Sequence, residues 1–76
     1  MQLDVLSEEE LKQLVEMFQR EQMGMGTRRN NFTDEARKKL ETLGFIEHDK
    51  GVYYLTVAAE RTVKKYLKEK EQRMSG

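Results

Sequence analysis

Cysteine, proline and tryptophan are absent from this sequence, and histidine occurs only once. Without cysteine no disulfide can stabilise the fold, and a lone histidine cannot supply the ligands of an ordinary zinc site. No run of about 18 apolar residues is present, which argues against a membrane-spanning helix. The first ten residues, MQLDVLSEEE, lack the basic-then-apolar order of a signal peptide. We therefore expect an intracellular, cytoplasmic protein with no membrane partner, no metal and no other cofactor.

Neither sign of charge predominates, because 14 basic and 14 acidic side chains give a formal net charge of zero. A dedicated duplex binder usually carries a clear basic excess. The positive charge is nevertheless concentrated in two segments: residues 27–39 hold five basic and two acidic groups, and residues 61–76 hold six and two. These two segments are where a polyanion would bind.

A chain of 76 residues is enough for a single small domain, predicted to span residues 1–76. Such a chain buries only about 60–65% of its unfolded surface, so its stability is expected to be marginal. Since no disulfide is available, well-packed helices or self-association must add the missing stability.

Helix boundaries are predicted from capping residues and apolar stripes. Ser7, with Glu10 three residues later, is typical of a capping box, and this first helix should end near Gln22, before two glycines. Thr33 is placed to cap a second helix. Gly44 directly follows the last apolar residue of that helix, where a left-handed C-terminal residue is favoured.

Two short runs of β-favouring residues, 45–48 and 52–56, flank the tripeptide DKG. Gly51 can take the positive φ that a tight turn needs, so a hairpin is predicted. Side chains alternate between the faces of a strand. Tyr53 and Leu55 are predicted to face the core, and Val52 and Tyr54 the opposite side.

A final helix is predicted to begin after Thr56. Beyond Leu67 the sequence KEKEQRMSG has little to bury, so residues 68–76 are expected to fray or to bind a partner. Met17, Met23 and Met25 lie off or beyond the apolar stripe of the first helix, and exposed methionines suit adaptable contact surfaces. The predicted core consists of Leu14, Phe18, Leu40, Leu43, Ile46, Leu55 and Val63.

The least regular stretch is MGMGTRRNNFTDE, residues 23–35. A helix-turn-helix needs a short helix and a turn between its first helix and its recognition helix. Only about ten residues are available here, and glycine and asparagine are poor helix formers. Residues 23–32 are therefore predicted to form a loop or a single turn.

The string ARKKLETLGFIEHDKGVYYLTVAAERTVKKYL, residues 36–67, resembles the second half of small winged helix-turn-helix regulators of the PadR and MarR kind. In that family a recognition helix ends at a Leu-Gly-hydrophobic-Ile step, here Leu43 to Ile46. A hairpin wing follows, and a Leu-Thr pair, here Leu55 and Thr56, opens the closing helix. The resemblance implies a mainly α fold with one β-hairpin, ordered helix, loop, helix, hairpin wing, helix. With the second support helix lost, this would be a reduced winged helix.

That resemblance implies a small transcriptional regulator that binds double-stranded DNA. The side chains best suited to phosphate or base contacts are those of Arg28, Arg29, Asn30, Arg37 and Lys38. The predicted wing, EHDKG, is a poor phosphate probe because two of its residues are acidic.

An alternative function on the same scaffold is a non-enzymatic protein-interaction module. It would be an adaptor, or an inhibitor of the viral or mobile-element kind, that docks on a larger host protein. Val52 and Tyr54 on the outward side of the hairpin would form part of its interface, since tyrosine is enriched at interfaces. No catalytic triad spacing surrounds His48 and no phosphate-binding glycine pattern occurs, so neither an enzyme nor a small-molecule substrate is expected.

A homodimer is a further expectation, because the terminal helices of the regulators that this chain resembles commonly form the dimer. Tyr66 and the segment KKYLKEKEQRM would cross the same segment of a second copy. A two-fold dimer would also place two copies of the Arg28–Arg29 loop side by side.

Overall fold

The computed structural model describes the backbone of residues 2–75 and the side chains of residues 2–71. The predicted mainly helical fold with one β-hairpin is confirmed. A short 3-10 turn precedes the first helix, and a second one lies between the first strand and the second helix. The elements are a 3-10 turn Leu3–Val5, α1 Glu8–Gln22, β1 Thr27–Arg28, a 3-10 turn Arg29–Asn31, α2 Asp34–Thr42, β2 Ile46–Asp49, β3 Val52–Leu55 and α3 Val57–Ser75.

The predicted capping box at the start of α1 is confirmed. The Ser7 N–H donates to Glu10 Oε1 at 2.7 Å, and the Glu10 N–H donates to Ser7 Oγ at 3.2 Å. Lys39 Nζ on α2 reaches the same carboxylate at 2.9 Å. The backbone hydrogen bond from Ser7, followed by the bond from Lys39, lowers the pKa of Glu10. This end of α1 is thus fixed both to its own cap and to α2.

The two ends of α2 also follow the predicted signals. Thr33 Oγ1 accepts a hydrogen bond from the Ala36 N–H at 3.2 Å, and Gly44 takes a φ of 81°. The N–H of Phe45 then donates to the carbonyl of Leu40 at 2.9 Å, which reverses the chain at the end of the helix. This reversal directs Phe45 into the core.

The last helix, α3, begins where the Thr56 side chain ties three segments together. Thr56 Oγ1 accepts from the Ala59 N–H at 3.2 Å and donates to the carbonyl of Gly44 at 2.8 Å. The helix continues through Ser75. Fraying of residues 68–76, or their binding to a partner, stays a prediction.

A third strand, β1, lies within the segment that was predicted to be only a loop or a single turn. It pairs antiparallel with β3, so the sheet has the order β1-β3-β2. The other part of the prediction is confirmed, because a single 3-10 turn follows β1. The hairpin turn consists of Lys50 and Gly51, both with positive φ, as the left-handed two-residue turns of hairpins require.

The core lies where α1, α2 and α3 pack against the inner side of the sheet. The prediction for Leu43 was wrong: this side chain is 40% exposed, because Leu43 caps α2 and the chain turns directly after it. Phe18 is only half-buried. Met17, which was placed off the apolar stripe, is buried. The buried apolar side chains are Leu14, Met17, Ala36, Leu40, Phe45, Ile46, Tyr53, Leu55, Ala59 and Val63.

Candidate interaction surface

The sheet has an inner face that joins the core and an outer face that does not. Cross-strand partners share a face, so the register assigns each side chain. The inner face has Tyr53 between its partners Thr27 and His48, and Leu55 beside Ile46. The outer face consists of Arg28, Val52 and Asp49 in one row and Tyr54 and Glu47 in the next.

Aromatic contacts fix the inner side of the hairpin. The ring of His48 stacks on Tyr53 with centroids 4.6 Å apart, and Phe32 meets Tyr53 edge-on at 5.4 Å. These contacts hold the hairpin against the segment that leads into α2.

A cavity of about 380 Å³ opens beside the outer face, at the point where β1 separates from β3. Strand β1 pairs only with Val52 and Tyr53, so the N–H of Leu55 has no strand partner on that side. Glu21 Oε2, at the end of α1, accepts this hydrogen bond at 3.0 Å. The lining residues are Glu21, Gly24, Met25, Gly26, Arg28, Val52 and Tyr54.

The carboxylate of Glu21 is held in an unfavourable environment. Burial raises its pKa, the hydrogen bond from the Leu55 N–H partly opposes this, and the nearby charge of Glu60 raises the pKa further. Within the described side chains, Glu21 forms no ion pair. Glu21 therefore completes the sheet edge at the cost of desolvating a charge.

Gly26 allows β1 to lie close to the middle strand. A β-carbon at this position would lie 2.5 Å from Val52 Cγ1, closer than real side chains approach. Any other residue would force either the Val52 side chain or β1 to shift. The shape of the cavity and of the outer face thus depends on this glycine.

Charged groups lie on the two edge strands of the outer face, and apolar groups lie on the middle strand. On this face Tyr54 is 41% exposed and Val52 is half-buried, and Met25 in the lining of the adjoining cavity is 50% exposed. Arg28 lies on one edge strand, and Glu47 and Asp49 lie on the other. Among the ion pairs of the described side chains, none includes these three charged groups.

The α2 residues predicted to contact DNA lie in a different environment. Arg37 contacts Glu41 at 3.1 Å and Asp34 at 3.8 Å, and only 13% of its side chain is exposed. The hydrogen bond to Glu41 raises the pKa of Arg37. The predicted outward position of Arg37 is thus corrected, since its ion pairs lay it along the helix. Lys38 is exposed, as expected.

The basic loop is brought beside the hairpin turn. Arg28, Arg29 and Asn30 line an open depression together with Gly51, and Lys38 is not among its lining residues. Arg29 lies 3.8 Å from the carboxylate of Asp34. Asn31 Oδ1 accepts from the Arg28 N–H at 2.9 Å, which closes the turn after β1.

Tyr66, the residue predicted to form a homodimer interface, is half-buried in a groove of about 350 Å³ between α1 and α3. Its apolar neighbours there are Leu11, Val15 and Leu67. Nothing in this groove identifies what covers it, so a dimer through α3 stays a prediction.

Comparison with known proteins gives no relative: no protein-family model, curated protein or solved structure matches this chain. None of the helices within the described residues is both long enough and apolar enough to cross a bilayer.

Sequence reasoning missed the contribution of Glu21 to this surface. The hydrogen bond joins residues 34 positions apart, and no local pattern predicts such a contact. The pairing of Arg37 could have been found, because Asp34 and Glu41 lie three residues before it and four residues after it, where helical side chains meet. The exposure of Met23 and Met25 was predicted and is confirmed.

Proposed function

We propose that this chain is a non-enzymatic protein-interaction module that docks on another protein through the outer face of its sheet. One observation carries the proposal: the outer face exposes apolar and charged groups that no other part of the described chain covers. The chain's neutral net charge also suits a protein partner better than a polyanion.

The composition of the outer face is that of a small binding surface. Tyr54 on this face and Met25 in the adjoining cavity belong to the residue types enriched at protein interfaces, and the flexible thioether of methionine adapts to varied partners. The adjoining cavity gives a partner side chain a place to enter. Anchoring by one side chain in a pocket is the usual source of interface affinity.

The charges around Val52 and Tyr54 supply specificity. Arg28 on one side and Glu47 and Asp49 on the other side have no partners within the described side chains. Such rim charges orient an approaching partner and penalise a wrong one.

Affinity capture with matched variants tests this function. Tyr54→Ser removes the aromatic centre of the outer face. Val57→Ser removes a more exposed apolar side chain, 69% exposed, that does not line the cavity. A protein retained by the wild-type chain and by Val57→Ser, but lost with Tyr54→Ser, is the expected result. Equal retention by all three chains would refute docking through this face.

DNA binding is the second candidate, and one observation favours it. Arg28, Arg29 and Asn30 are gathered beside the hairpin turn, where Lys50 adds another positive charge. The resemblance to winged helix-turn-helix regulators points the same way. Against it, Asp34 pairs with both Arg29 and Arg37, which weakens the field that phosphates would experience.

Binding to a random DNA duplex at 50 and 200 mM salt separates the two candidates. A DNA binder with four to six phosphate contacts should lose about two to three decades of affinity over this range. An interaction module should show no duplex binding even at the lower salt concentration. Salt-dependent binding that disappears in Arg28→Glu would establish the second candidate in place of the first.

A further inference from the structure

The outer face is complementary in charge to itself. Arg28 on β1 and Asp49 on β2 flank the same residue of the middle strand, Val52. One edge of the row is therefore positive and the other edge negative, with apolar side chains between them.

Only one two-fold arrangement of two facing sheets uses this complementarity. If the axis lies between the sheets and runs parallel to β3, then β1 of one copy lies over β2 of the other. Arg28 then faces Asp49 of the second copy, and the symmetry repeats this pair. An axis perpendicular to the strands would instead place Arg28 over Arg28, which repulsion disfavours.

We propose that the outer face binds a second copy of this chain in the arrangement with the axis parallel to β3. This inference rests on the proposed function and names its partner. Val52 and Tyr54 lie near the axis and meet their own equivalents. Facing sheets pack about 10 Å apart, a distance that arginine and aspartate side chains from opposite sheets can bridge.

The second row of the face adds one opposite-charge approach and one like-charge approach. Glu47 faces the cavity mouth of the second copy, where Arg28 forms part of the rim. The carboxylate of Glu21 in that cavity is already engaged by the N–H of Leu55. The contact surface is small, and interfaces that bury less than about 1,200 Å² are typically weak and transient. The dimer is therefore expected to be weak and to form only as the protein concentration is raised.

A charge swap tests the pairing directly by sedimentation equilibrium at low salt. Arg28→Glu alone sets acid against acid at both contacts, and Asp49→Lys alone sets base against base. Each variant alone should dimerise at least tenfold more weakly than the wild-type chain. An equimolar mixture restores both opposite-charge contacts, so dimerisation should return. Arg61→Glu on α3, away from the sheet, serves as the control and should dimerise like the wild-type chain.

A second measurement does not depend on the hairpin tolerating a change at Asp49. The chain has no native cysteine, so Tyr54→Cys and Val57→Cys each carry a single thiol. A bis-maleimide linker of about 10 Å, the spacing of packed sheets, should join two Tyr54→Cys chains much faster than two Val57→Cys chains.

Three results would overturn self-association through this face: a wild-type chain that stays monomeric, a mixture that behaves as its separate components, or equal linking of both thiols. A dimer weakened by Arg61→Glu and not by Arg28→Glu would move the interface to α3. None of these results touches the proposed function, which is tested separately by the loss of partner capture in Tyr54→Ser and by binding to duplex DNA.

Discussion

The exposed side of α2 and the outer face of the sheet differ in how their charged side chains are paired. On α2, Arg37 is paired with Asp34 and Glu41 and is largely covered. On the sheet, Arg28 and Asp49 lie on opposite edges without ion pairs among the described side chains. On α2 the charge of Arg37 is paired within the chain, whereas Arg28 and Asp49 of the outer face form no ion pair among the described side chains.

This difference shows why counting cations does not locate a binding surface. The helix predicted to read DNA carries more basic side chains than the sheet does, but Arg37 pairs with Asp34 and Glu41 on the same helix. Lys39 pairs with Glu10 on α1. Exposed ion pairs of this kind contribute little to stability. Their main consequence is that Arg37 is less available to a ligand than its sequence position indicates.

The largest expected effect separates the two sides of α2. Leu40→Ala should lower the free energy of unfolding by about 2–4 kcal/mol, because Leu40 is fully buried. Leu43→Ala, on the exposed end of the same helix, should cost less than about 1 kcal/mol. Urea denaturation of both variants measures this difference. Similar costs for the two would mean that α2 packs on a different side from the one described.

A smaller effect is expected at the support of the outer face. Gly26→Ala places a β-carbon against Val52 and should destabilise the fold by about 1–3 kcal/mol, as overpacking does. In a Val52→Ala background the clash is removed, so the same change should cost less than about 0.5 kcal/mol. Thermal or urea unfolding of the wild-type chain, the two single variants and the double variant gives the coupling free energy between Gly26 and Val52. Additive costs would show that β1 does not approach β3 at Gly26.

The smallest effect concerns the cavity beside the outer face and depends on pH. The raised pKa of Glu21 means that the folded state binds this proton more tightly than the unfolded state does. The protonated Glu21 carboxyl therefore contributes its full stabilisation at pH values below the ordinary pKa of glutamate. This stabilisation is lost as the pH rises through the folded-state pKa. Glu21→Gln keeps an acceptor for the Leu55 N–H but does not titrate. The free energy of unfolding of this variant, relative to that of the wild-type chain, should therefore increase as the pH rises from the ordinary pKa through the folded-state pKa.

Glu10→Gln is the matched control at the other end of α1, and the opposite pH dependence is expected. The pKa of Glu10 is lowered, so the ionised carboxylate stabilises the wild-type fold at pH values above the ordinary pKa of glutamate. This stabilisation is lost as the pH falls through the folded-state pKa. Unfolding midpoints measured from acid to neutral pH compare the two variants. The same pH trend in both would contradict the environment described for Glu21.

The helices and the hairpin were predictable because their signals are local. Ser7, Thr33 and Thr56 cap the helices that follow them, and Gly44 and Gly51 adopt the positive φ values that their positions predicted. Each signal acts within a few residues of the place where it appears.

The candidate surface was only partly predictable because it depends on distant contacts. Tyr54 was expected to face outward, and it does. Strand β1, however, has only two residues, Thr27 and Arg28, and its partners on β3 lie 24 and 26 positions further along the chain. Pairing of this kind depends on tertiary packing rather than on local propensity. The face became recognisable only once β1 placed Arg28 opposite the acidic edge of β2.

Photo-crosslinking in cells that make the protein most directly tests whether the outer face is the docking surface. A p-benzoylphenylalanine residue would replace Tyr54 on the outer face in one chain and Lys38 on the exposed side of α2 in another. Irradiation should give a protein adduct from position 54 and none from position 38. An adduct from position 38 alone, or an adduct with DNA from either position, would contradict the account.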